Sequence, residues 1–102
     1  MPQGGGDVRR ARHDHRVPRI SAFYGIVIEM YFDDHPPPHF HARYAGEEAV
    51  IVIATGDVLV GSLPGRALRL VREWLDSNRD ALAANWTRAS TLQPTQPIPP
   101  LP

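Results

Sequence analysis

Between Phe23 and Val60 the apolar runs of this chain are joined by links too short for anything but a turn, and that limits its folds more than any other feature. Ala45-Gly46-Glu47 separates the run starting at His39 from Glu48 to Ile53, and Ala54-Thr55-Gly56-Asp57 separates that run from Val58-Leu59-Val60. A parallel neighbour needs a crossover of a dozen or more residues, so these segments can pair only as antiparallel neighbours. Their content suits strands. Phe23 to Phe32 is a dense run of aromatic and branched residues interrupted by Gly25 and Glu29, and it is expected as one strand. The two-residue period sets Ile26, Ile28, Met30 and Phe32 on one face and Val27, Glu29 and Tyr31 on the other. His39 to Tyr44, Glu48 to Ile53 and Val58 to Val60 complete a four-stranded meander.

At Leu63-Pro64-Gly65 the period changes. Ala67, Leu68, Val71, Trp74 and Leu75 recur at helical spacing, with Pro64 suited to the first turn and Ser62 a candidate cap. Ser77-Asn78 breaks or bends this pattern, and Leu82, Trp86 and Ala89 repeat in a second helix. The expected fold is therefore α+β: a four-stranded antiparallel meander with two carboxyl-terminal helices packed on one face. One domain, residues 17–91, is expected within the 102-residue chain. Residues 1–16, with three consecutive glycines and four arginines, read as a disordered extension, and Val17 as an alternative start. Residues 92–102 read as a disordered, polyproline-like tail.

Composition narrows the function classes. Cysteine is absent, which removes disulfides and thiolate chemistry and fits a reducing cytoplasm. Residues 17–91 hold seven arginines against nine carboxylates, a net charge of −2, so the domain lacks the basic excess of a dedicated nucleic-acid binder. No apolar run approaches the roughly 20 residues that span a bilayer.

Side-chain chemistry concentrates in Asp33-Asp34-His35-Pro36-Pro37-Pro38-His39-Phe40-His41. On a strand, His39 and His41 project from the same face with Cα atoms about 6.6 Å apart, while Phe40 points into the core. His35 lies across the proline link. His35, His39 and His41 with Asp34 are candidate ligands for a divalent transition metal (zinc, iron or nickel). Glu47, Glu48 or Asp57 would have to be recruited to complete such a site. The plain reading is that the histidines are hydrogen-bonded residues on a polar sheet face. General acid–base catalysis by His39, His41 and His35 is the alternative, with Arg43 on the same face as a candidate phosphate contact or, in its plain role, a solvated residue opposite an acidic neighbour. Arg66, Arg69 and Arg72 form a helical stripe that could follow a nucleic-acid backbone, although Glu73 and Asp76 dilute it and a solvated helix face is the favoured reading.

Phe23-Tyr24-Gly25-Ile26, Met30-Tyr31, Asp34-His35, Pro37-Pro38-His39-Phe40-His41-Ala42, Leu63-Pro64, Arg66 to Trp74 and Asn85-Trp86 resemble a widespread bacterial family of small proteins, domain-of-unknown-function family 4160, over about residues 18–88. Gly65 departs from the charged residue expected at that position. The resemblance implies no established reaction and no catalytic role for the histidines. It implies a toxin–antitoxin-like gene context, hence a cytoplasmic interaction or regulatory protein with a small partner from a neighbouring gene; homodimerisation is a separate option, suggested by the small size of the domain. Nucleic acid is not the favoured partner. A non-enzymatic role is preferred to the alternative, a histidine-based ribonuclease or metal-dependent hydrolase centred on His35, His39 and His41.

Overall fold

A computed structural model describes residues 18–102. The extension expected for residues 1–16 lies outside them. The described chain forms strands β1 (Arg19–Phe23), β2 (Ile26–Glu29), β3 (His39–Tyr44), β4 (Glu47–Val52) and β5 (Val58–Gly61), then one helix, α1 (Gly65–Ser90). Every strand pairs antiparallel with its sequence neighbour, in the order β1-β2-β3-β4-β5. The α+β class and the antiparallel sheet agree with the sequence, but the four expected strands are five.

The extra strand comes from a turn hidden inside the apolar run. Tyr24 and Gly25 take φ of 51° and 80°, and Ala45 and Gly46 take 52° and 82°. Positive φ at both central residues is the two-residue turn whose twist matches a hairpin. Glycine supplies it without strain in the second position of each turn, while Tyr24 and Ala45 occupy the first. What looked like one strand starting at Phe23 is thus the end of β1 and the whole of β2. Chain-face alternation survives this correction: Ile26, Ile28 and Met30 are buried under the helix, and Val27 and Tyr31 are half-buried on the other side.

The two expected helices are a single helix bent at Asn78 (φ −131°, ψ 21°). The Asn78 side-chain Nδ2 donates to the Trp74 carbonyl at 2.8 Å, the acceptor four residues back, so the helix bends without ending. Ser62 is not the cap. Pro64 holds the N-cap position with no side-chain bond, and the Ser62 amide donates to the Glu48 carbonyl. Val71, Trp74, Leu75 and Leu82 are fully buried against Phe40, Ile28 and Ile51, and the Phe40 ring meets Trp74 edge-on at 6.0 Å.

Residues 92–102 lie against the domain. Leu92 takes φ 60°, the Gln93 amide donates to the Arg88 carbonyl at 2.7 Å and the Leu92 amide to Ala89 at 3.2 Å. This left-handed reversal closes the helix and sends residues 93–102 back along the domain instead of away from it. Ile98 is buried, and its amide donates to the Ile20 carbonyl at 2.9 Å, so the segment covers the outer edge of β1. The helix is not long and apolar enough to cross a membrane.

Candidate functional site

His39 opens β3 and His41 follows two residues later, so the pleat turns both rings to the face opposite Phe40 and Ala42. The loop between β2 and β3 returns over this face and brings Asp34 to them. Asp34 Oδ2 lies 2.8 Å from His39 Nε2 and 3.5 Å from His41 Nε2. The other nitrogen of each ring is also engaged. His39 Nδ1 is 2.7 Å from the Pro37 carbonyl oxygen, and His41 Nδ1 is 2.7 Å from Glu48 Oε2. Packing fixes the ring planes. Tyr31 stacks on His41 at 4.0 Å and 11°, and Trp86 tilts against His39 at 5.0 Å.

These contacts pose a proton-counting problem. A carbonyl and a carboxylate accept only, so both Nδ1 atoms must donate. A neutral imidazole has a single N–H, and each Nε2 is then a bare lone pair facing the Asp34 carboxylate. Two lone pairs and a carboxylate aimed at one another repel unless a positive charge sits among them. A proton on one or both Nε2 atoms, or a cation at the point where they converge, supplies that charge. The three ligand atoms lie within 4.8 Å of one another, and a tetrahedral zinc with bonds of about 2.0–2.1 Å separates its ligands by roughly 3.3 Å, so the 2.8 Å His39–Asp34 contact would open slightly while any wider separation closes. The side chains of His39 and His41 are 7% and 9% exposed against 22% for Asp34, so solvent enters past the carboxylate.

Burial pushes the Asp34 carboxyl upward, but the hydrogen bond from the His35 amide and those from His39 and His41 outweigh it, and its pKa lies below the ordinary aspartate value. Burial, then the Glu48 and Glu29 carboxylates, raise the Tyr31 phenol.

The structure gathers Asp34, His39 and His41 but leaves His35 out: His35 is exposed and meets the cluster only through its backbone amide, 2.8 Å from Asp34 Oδ1. Arg43 pairs with Glu29 at 2.8 Å and borders an open groove of about 410 Å³ that it shares with Tyr44, Glu47 and Glu48. Arg66, Arg69 and Arg72 are exposed along α1, and Arg72 Nε donates to the Gly56 carbonyl. Neither Tyr31 nor Trp86 was legible as part of the site. Glu48 was readable only as one of three carboxylates to be recruited. Its role follows from register: Val50 lies opposite His41, which puts Glu48 on the adjoining diagonal.

Residues 25–87, more than half of the chain, match the family described as Domain of unknown function (DUF4160). The chain belongs to this family. No curated protein and no solved structure matches it. The family match spans β2 to the second half of α1, so Asp34, His39, His41, Glu48 and Trp86 all lie inside it.

Proposed function

We propose that this DUF4160 protein binds a divalent transition metal through Asp34 Oδ2, His39 Nε2 and His41 Nε2. One arrangement supports the reading: both Nδ1 atoms are committed to acceptors while both Nε2 atoms converge on one carboxylate, so positive charge, from ring protons or from a metal, belongs among them. Two imidazoles and a carboxylate suit zinc, iron or nickel and leave coordination positions for water or substrate. Glu48 and the Pro37 carbonyl act as the outer partners that fix which ring nitrogen bears the proton. A metal held there would supply Lewis acidity to a water or substrate oxygen, in line with the hydrolase alternative, with Asp34 retained and His35 left out of the candidate ligands. The test is metal content and zinc titration of untagged protein against the His39→Ala, His41→Ala double variant. Near-stoichiometric binding lost in the variant is expected; equal binding by both overturns the assignment.

A second reading, an interaction or regulatory component of a toxin–antitoxin-like gene pair, has separate support. β5 is an outer strand of the sheet, with Leu59 and Val60 51% and 63% exposed, and such edges add strands from partners. Co-expression with the neighbouring gene product tests it: a complex abolished by Val60→Lys is expected, and a complex unaffected by that change removes the β5 edge from the reading.

A further inference from the structure

Residues 93–102 contain five prolines, at positions 94, 97, 99, 100 and 102. Each proline fixes its own φ and pushes the preceding residue toward extended geometry, so the segment is stiff and makes no helical or sheet bonds within itself. It nevertheless has an ordered relation to the domain. Thr95, Ile98 and Leu101 are its only residues that are not exposed, and they are spaced three apart. Three residues make one turn of a polyproline helix, so a single face of the segment is turned to the protein.

The surface that receives this face is built for main chain. Asn85, itself 1% exposed, donates from Nδ2 to the Gln96 carbonyl at 2.8 Å and accepts the Gln96 amide on Oδ1 at 2.9 Å. Trp74 Nε1 donates to the Pro99 carbonyl at 2.9 Å, Tyr24 OH to the Pro102 carbonyl at 2.7 Å, and the Ile20 carbonyl accepts from the Ile98 amide. All five bonds address the backbone of the segment. Selectivity for its side chains is left to the pockets of Ile98 and Leu101. An indole N–H on a proline carbonyl, with aliphatic residues seated one turn apart, is the chemistry by which grooves bind proline-rich peptides. Trp74 and Asn85 belong to the helix and Ile20 to β1, so the receiving surface stands apart from the segment it holds.

We propose that the groove between β1 and α1 is a recognition site for an extended, uncharged, proline-rich peptide with aliphatic residues three apart. Residues 93–102 occupy it in the resting chain, and a segment of the same chemistry in a partner protein competes for it. The seated segment defines the partner: no charged side chain of either sign lies between Gln93 and Pro102.

The test follows the Trp74 indole N–H resonance of the full chain. Ile98→Asp dislodges the segment and shifts that resonance, and a synthetic peptide with the sequence of residues 93–102 restores it. A peptide with Asp at the positions of Ile98 and Leu101 binds at least about tenfold more weakly, since the buried Ile98 contact and the half-buried Leu101 contact are both lost. A folded Ile98→Asp chain that ignores the wild-type peptide, or responds equally to a scrambled one, overturns the proposal. So does restoration only through a dimer of this chain that the peptide fails to dissociate. If Ile98→Asp does not fold, a protease site placed between Leu92 and Gln93 of the otherwise unaltered chain serves instead. After cleavage the native segment is expected to exchange with labelled peptide, and a cut chain that takes up no peptide refutes the groove.

Discussion

Replacing Glu48 by alanine separates a metal centre from a merely packed pair of rings. Among the described residues Glu48 Oε2 is the one partner of His41 Nδ1, at 2.7 Å, whereas His39 Nδ1 is held by a backbone carbonyl that no side-chain change removes. The variant therefore perturbs one ligand and spares the other. Losing the outer carboxylate of a metal-binding histidine typically lowers affinity 10–100-fold, or about 1.4–2.7 kcal/mol. Two observations place the effect at the lower end. The Glu48 side chain is 40% exposed, so water can replace its acceptor, and Tyr31 stacked at 4.0 Å still fixes the ring plane. We expect roughly tenfold weaker zinc binding in competition with a chelating indicator. Glu48→Gln should recover part of the loss, because an amide oxygen accepts the same N–H without the charge. Zinc affinity within about twofold of wild type in a folded Glu48→Ala variant would refute the inference that the Nδ1 partner sets the ligand's proton.

Three further outcomes follow from the fold and the site. Phe40→Ala removes a fully buried ring packed on Trp74 and should cost about 3–5 kcal/mol in urea unfolding, enough to threaten a domain of this size. Leu92→Gly should leave stability unchanged or raise it by up to about 1 kcal/mol, because Leu92 holds a left-handed φ of 60° that glycine adopts freely; a clear loss would show that the side chain outweighs the strain. In metal-free protein the depressed Asp34 pKa adds stability that is fully present above the unfolded value of about 3.9 and disappears as pH falls through the lower folded value. Acid titration of Asp34→Asn should show a correspondingly flatter decline in that window, and an unchanged profile would contradict the stabilised carboxylate.

Much of this molecule was legible because its signals are local. The links at Ala45-Gly46 and Gly56 dictated antiparallel pairing, and strand alternation put Phe40 in the core and both rings on the other face. What escaped depended on residues adopting conformations their type does not advertise. Tyr24 in a left-handed turn hid the break between β1 and β2, and Leu92 in the same conformation hid the reversal that folds the tail back. The tail itself reads as disordered because its composition forms no regular element, yet Asn85 and Trp74 supply the bonds that proline-rich main chain cannot make within itself. Of the candidates on that loop, Asp34 reaches the cluster and His35 does not, because the loop from β2 turns the carboxylate inward and leaves the neighbouring imidazole exposed, a placement that residue spacing across three prolines does not determine.

The decisive measurement is the protonation of the two rings, read by nitrogen-15 histidine NMR with and without one equivalent of zinc. A metal centre predicts that in the zinc-loaded protein His39 and His41 each keep the proton on Nδ1 and carry none on Nε2, with both Nε2 resonances shifted together at saturation. If both rings stay doubly protonated at neutral pH and zinc leaves every histidine resonance in place, the charge between them is supplied by protons and the cluster is an ion-paired structural element.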